Sequence, residues 1–302
     1  MAYADSGYNA RMLSDPGPYL PFSQRTGLEQ IPPQLKLGDA SPDLRRLVHY
    51  YLKLEIERNS FFGYERRSYH TEWRRVARDL HVLFFKQSPD SFDWNVGALE
   101  ESIKIFVYRS PIVPLFDLIE FFIRHPGCSP ECKRELAEAF VTARAAYRVV
   151  DNSYVAAIGS DEQAATFEQA LATARNRGAV AARKQLIGAG IALRDGDWAG
   201  SVRESIHAVE AVAVQLAPGT RTLGAALKAI EQKHHLHGGL KKAFDALYGY
   251  SSDEQGVRHA LVFSDEAQVD EADALFMLGA CASFVSYLLA HAEPNGNKQP
   301  TE

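Results

Sequence analysis

Apolar positions recur along most of this chain every three to four residues, the period of an amphipathic helix. Ser41 followed by Pro42 marks a helix start, because serine caps the first turn and proline fits its first position. From there Leu44, Leu47, Val48, Tyr51 and Leu54 form an apolar stripe as far as about Asn59. The same period predicts helices over about 69–85, 96–108, 113–124 and 130–145. It returns over about 161–176, 179–194, 197–217, 221–233, 238–249 and 269–291. Residues 1–40 show no sustained period and are rich in Pro and Gly, which predicts an extended arm anchored by Phe22, Leu28 and Leu35.

The period breaks once. "AYRVVDNSYVAAI", Ala146 to Ile158, carries short β-branched and aromatic runs on either side of Asp151-Asn152, and predicts a β-hairpin with a two-residue turn. Ser160 with Gln163 three residues later is a capping box that restarts the helical pattern. The chain is therefore expected to be all-α. Two helical domains, 1–145 and 159–292, are joined by a hairpin over 146–158, and a frayed tail covers 293–302. The sequence shows no internal repeat.

Composition narrows the function. The 302 residues are 46% hydrophobic and carry a net charge of −5, so a broad non-specific nucleic-acid binder is disfavoured. Three cysteines, Cys128, Cys132 and Cys281, are too few and odd in number for a disulfide framework, which points to a reducing cytoplasm. The opening residues lack the basic and apolar regions of a signal peptide. Ala274 to Ala290 is the most membrane-like stretch, but a helix apolar all round is also what a protein core requires. A buried helix and no membrane association are expected.

Four polar clusters can carry chemistry. In "HPGCSPEC", His125, Cys128 and Cys132 are three zinc-type donors, but a fourth is missing, and the segment also reads as a loop followed by a helix start. Arg74, Arg75 and His81 read as the solvated face of a helix whose core side is Trp73, Val76, Leu80 and Leu83 or Phe84. His234, His235 and His237 precede two glycines and read as a helix end. No metal and no cofactor are expected.

The fourth cluster is richer. On the helix from Trp198, Arg203, His207 and Glu210 lie four and then three apart and share one face. That helix is apolar on several other sides, so charges on it are expected to need partners. In "SSDEQGVRHALVF", Gly256 precedes Arg258 and His259. A guanidinium suits either a bidentate carboxylate, for which Glu210 is available, or a phosphate. An imidazole can move a proton near neutral pH.

These words carry a resemblance. "SVRESIHAVEA" followed by "GVRHALVFSDEAQVDEADALFMLGACASFVSYLL" resembles the C-terminal domain of AbiJ-type abortive-infection proteins, which is similar to the HEPN group of small helical domains. "FSQRTGLEQIPPQLKLGDASPDLRRLV" and the hairpin resemble the AbiJ-type N-terminal domain. The resemblance implies a C-terminal HEPN-like helical bundle that forms a homodimer, and metal-independent RNA cleavage in which a ribose 2′-hydroxyl attacks the adjacent phosphate. Arg258 and His259 would be catalytic, and Arg203, His207 and Glu210 would order them. RNA would be the substrate, and an antitoxin or sensor protein a possible partner. In this chain the Arg and His are adjacent, and positions 263 and 264 are Phe and Ser, where the family places its His four to six residues after the Arg. A phage-defence endoribonuclease and a non-catalytic interaction or sensor module both remain open at this point.

Overall fold

The computed structural model describes residues 22–28, 36–63, 67–234, 236–252 and 269–291. Within them the protein is all-α apart from two small antiparallel hairpins. A single helical turn, Phe22–Arg25, precedes the first full helix. Helix α1, Pro42–Arg58, starts as expected: the Ser41 side chain accepts from the Leu44 N–H at 3.1 Å. Two of the three expected arm anchors find no cover in the fold. Phe22 and Leu28 are exposed, and Leu35 lies outside the described residues. The contacts come later: Leu37 packs on the core, and the Gly38 N–H donates to the Tyr147 hydroxyl at 2.6 Å.

Two features follow α1 that the apolar period does not announce. Strands β1, Ser60–Phe62, and β2, Arg67–Tyr69, pair antiparallel. Helix α2, Thr71–Asp79, then runs into one wide turn, Leu80–Phe84, where the Phe85 N–H reaches back five residues to the Leu80 carbonyl at 2.9 Å. Such π-type turns recur at functional sites. Helices α3, Val96–Arg109, α4, Ile112–Arg124, and α5, Pro130–Thr142, complete the first half. Asn95 and Ser129 cap α3 and α5 with their side chains.

The expected hairpin is present as β3, Tyr147–Val150, and β4, Tyr154–Ala157. Its turn is three residues rather than two. Val150 pairs with Tyr154, and Asp151 and Asn152 both take positive φ, 54° and 50°. Asp and Asn tolerate that region better than other side chains. The hairpin lies between α4 and α5 on one side and a helix of the second half on the other, and most of its side chains are buried.

The second half contains α6, Asp161–Asn176, α7, Val180–Arg194, α8, Trp198–Leu216, α9, Leu223–His234, α10, Gly238–Ser252, and α11, Glu271–His291. Helix α7 lies on β4 at Gly190, where a Cβ would come within 2.8 Å of the Ala156 methyl. Glycine is required for that approach. Helix α8 is the hub, packed against α7, α9, α10 and α11. Helix α11 is the one described helix long and apolar enough to cross a membrane. Half of its most apolar stretch is buried inside the protein, against α6, α7 and α8. One buried apolar cluster runs from Leu44 to Leu289 through both halves and the hairpin.

Two ionic clamps hold the halves and the hairpin in register, and one buried carboxylate ties α1 to α5. Glu120 on α4 accepts from the Val155 N–H of β4 and from Arg194 of α7, both at 2.8 Å. Asp151, nearly buried in the hairpin turn, pairs with Arg175 of α6 and Arg183 of α7. Burial acts against the charged form of Asp151, but the two guanidinium groups outweigh it and hold the carboxyl below its ordinary range. Glu55, fully buried on α1, accepts from the Ser129 N–H at 2.9 Å and from its hydroxyl at 2.6 Å, and so fixes the cap of α5.

Candidate functional site

Helix α8 buries Val202, Ser205, Ile206, Val209, Val212 and Ala213 against its neighbours. Asp197 caps it through the Gly200 N–H at 2.8 Å. Arg203, His207 and Glu210 fall on the remaining face, as their spacing requires, and all three are half-buried. Glu204, one residue on from Arg203, is half-buried as well. None of the four makes an ion pair with a described residue. Two cationic-type and two anionic side chains therefore line one strip of the hub helix without neutralising each other. That is a polar strip able to bind or orient charged groups, including a phosphate through Arg203.

Arg258 and His259 lie outside the described residues. The structure brings Arg203, His207 and Glu210 together on one helix face and is silent on their relation to the pair.

The other clusters resolve differently. His125 is buried; its Nδ1 accepts from the Gly127 N–H at 3.0 Å, so its Nε2 carries the hydrogen and donates to Asp79 at 3.1 Å. Cys128 and Cys132 are free and buried, and burial pushes both thiols up, that of Cys128 to about 12. No metal-binding group of three or more such side chains exists among the described residues. His237 accepts from the Gly239 N–H at 3.1 Å and serves the start of α10. His234 and His235 have no described side chain. Trp73, Val76 and Leu80 form the core side of α2, joined by half-buried Phe84 rather than by exposed Leu83.

The opposite face of α2 holds something the sequence reading passed over. Arg78 and Arg74 sit over the ring of Trp94, at 5.1 and 5.9 Å from its centroid. Spacing put Arg74 on a solvated face; only the fold brings Trp94 to it and to Arg78.

An all-helical protein with a central buried hairpin and a polar strip on its hub helix defines the class. A family model for AbiJ N-terminal domain 4 matches residues 20–173, about half of the chain. The chain belongs to that family and is an AbiJ-type protein. The match spans α1 to α5 and both hairpins and ends inside α6. The family's association is with abortive-infection defence against phage. No curated protein and no solved structure matches the chain.

Proposed function

We propose that the protein is an abortive-infection effector whose C-terminal half is an HEPN-like bundle cleaving RNA without metal. Residues 1–145 would form the AbiJ-type unit and 159–292 the effector unit, joined by the hairpin. The observation that supports this reading most is the half-buried strip of Arg203, His207 and Glu210 on α8, which makes no ion pair among the described residues. In this reading Arg258 stabilises charge on the phosphorane and His259 carries the proton, while the α8 strip orients them. RNA is the substrate, and the compartment is the cytoplasm. A homodimer through α11 would bring two Arg258–His259 pairs to one cleft. Helix α11 turns exposed Phe276, then Ala280, Ser283 and Tyr287, along one line of its outer face, which suits a second helix at close range.

The test is expression in cells, with growth and RNA integrity as readouts. The native chain should arrest growth and fragment RNA. His259→Ala should abolish both, a loss of at least a hundredfold in rate, with an unchanged thermal midpoint. Full toxicity of His259→Ala overturns the reading.

A second reading has its own support. The Arg and His are adjacent in "GVRHALVF", and the chain is net acidic. A non-catalytic interaction or sensor module, binding a partner protein such as an antitoxin, accounts for both. Growth arrest that persists in His259→Ala without RNA fragmentation would favour it.

A further inference from the structure

The arginine–tryptophan cluster on the AbiJ-type half is a built surface, and nothing so far gives it a role. Arg74 and Arg78 are four residues apart on α2, so both project from its solvent face. Neither makes an ion pair with a described residue. Of the acids nearby, Glu100 accepts from Arg67 at 2.7 Å, Asp79 is held by Arg75 and His125, and Asp93 accepts from the Asn95 N–H at 2.9 Å. Both guanidinium groups instead lie over Trp94, which remains more than a third exposed. The loop that presents Trp94 is stiffened from behind. Phe92 meets the indole edge-to-face at 4.8 Å and packs in turn on His81 at 5.2 Å. His81 is locked by its own bonds, with Nε2 donating to the Ser88 carbonyl at 3.0 Å and lying 3.1 Å from the Ser91 hydroxyl.

Cavities open on both sides of this loop. One, of about 170 Å³, is lined by Ser68, Tyr69, Arg74 and Trp94. The other, of about 390 Å³, includes His81, Ser91, Phe92 and Ser102 in its wall. Tyr69, in the wall of the first, also carries an unmet polar group. Tyr69 is buried, and its hydroxyl has no hydrogen-bond partner. Buried hydroxyls are nearly always satisfied, so each exception asks for an explanation.

We infer that this face binds single-stranded nucleic acid, with an unpaired base stacked on Trp94 and the backbone phosphates on Arg74 and Arg78. An exposed indole flanked by unpaired guanidinium groups is how proteins hold a single strand without reading its sequence. A duplex cannot use it, because its bases are already stacked on one another. The charge argument is local: the chain is acidic overall, so the attraction comes from this patch and not from net charge. The inference does not depend on cleavage at Arg258 and His259.

The full chain carrying His259→Ala, so that no proposed cleavage intervenes, is titrated into fluorescein-labelled oligoadenylate RNA, oligothymidylate DNA and a duplex of matched length. Fluorescence anisotropy is followed over a range of salt. At least one single strand should bind, and the duplex should bind more weakly; the two single-strand arms tell RNA from DNA. Trp94→Ala should weaken binding about tenfold, the worth of one stacked base. Trp94→Phe should keep most of the affinity. Arg74→Gln and Arg78→Gln should each lower the salt slope by about 0.7. Trp94 is at the surface, so circular dichroism should show each variant folded. Binding of neither strand, a duplex bound as tightly as a strand, or unchanged affinity in Trp94→Ala overturns the inference. Loss of toxicity in His259→Ala has no bearing on it.

Discussion

Single side chains in this protein show what burial does to polar groups. Tyr69 keeps a hydroxyl in the interior with no partner, and burial pushes its ionisation well above the ordinary tyrosine range. Leaving such a group unmet costs on the order of 1–3 kcal/mol. Tyr69→Phe should therefore raise the thermal midpoint of the free protein, whereas a fall would show that the hydroxyl is satisfied in solution. Asp151 shows the opposite case, a buried carboxylate matched by Arg183 and Arg175. Its folded-state ionisation lies below the unfolded value of about 3.9. A depressed carboxyl contributes stability that is present above the unfolded value and is lost as pH falls through the folded one. Asp151→Asn should lower stability at neutral pH and flatten the loss of stability below about pH 4. Urea midpoints measured across that range for both proteins check it; parallel acid curves would reject it.

At the scale of elements, legibility tracks how local the signal is. The starts of α1 and α5 were readable because a serine cap followed by proline satisfies orphan N–H groups within three residues of chain. The β3–β4 hairpin was readable because its strands are β-branched and bounded by Asp151-Asn152. Its turn length was not, since two successive left-handed residues can serve more than one loop length. The β1–β2 hairpin escaped because each strand is only three residues long, and Phe61 and Phe62 point into solvent, leaving no alternation to detect. Phe22 and Leu28 were misread as anchors for a related reason: both are apolar, but nothing local says they find no cover. Of the candidate site, the shared face of Arg203, His207 and Glu210 follows from helix geometry alone. The Trp94 platform did not, because it joins α2 to a loop some twenty residues away in sequence through tertiary packing. Where α7 meets β4 the fit is tight enough to test. Gly190→Ala would press a methyl against Ala156 and should cost about 1–3 kcal/mol in urea unfolding. A neutral change would mean the helix can back away from the hairpin.

Across the whole molecule, the apolar core does not stop at the hairpin. The strands carry buried side chains toward α4 and α5 and toward α7, and the Glu120–Arg194 clamp crosses the same boundary. An event on the AbiJ-type half therefore has a packed route to α7 and thence to α8, where the polar strip lies. Assembly is the remaining variable at this scale. Phe276 is 61% exposed on α11, an unusual position for a large apolar ring beside half-buried Ala280 and Tyr287. If this line is the dimer face, Phe276→Glu places two carboxylates against each other across the two-fold axis, a like-charge contact that costs several kcal/mol. Light scattering should then report a monomer where the native chain is a dimer. The variant's thermal midpoint should stay close to that of the native chain, because the ring is not part of the core. Growth arrest should be lost with the dimer, since each cleft in the proposed effector needs residues from both protomers. A variant that is monomeric and still toxic would show that one protomer holds a complete site. A variant that remains dimeric would move the interface off α11.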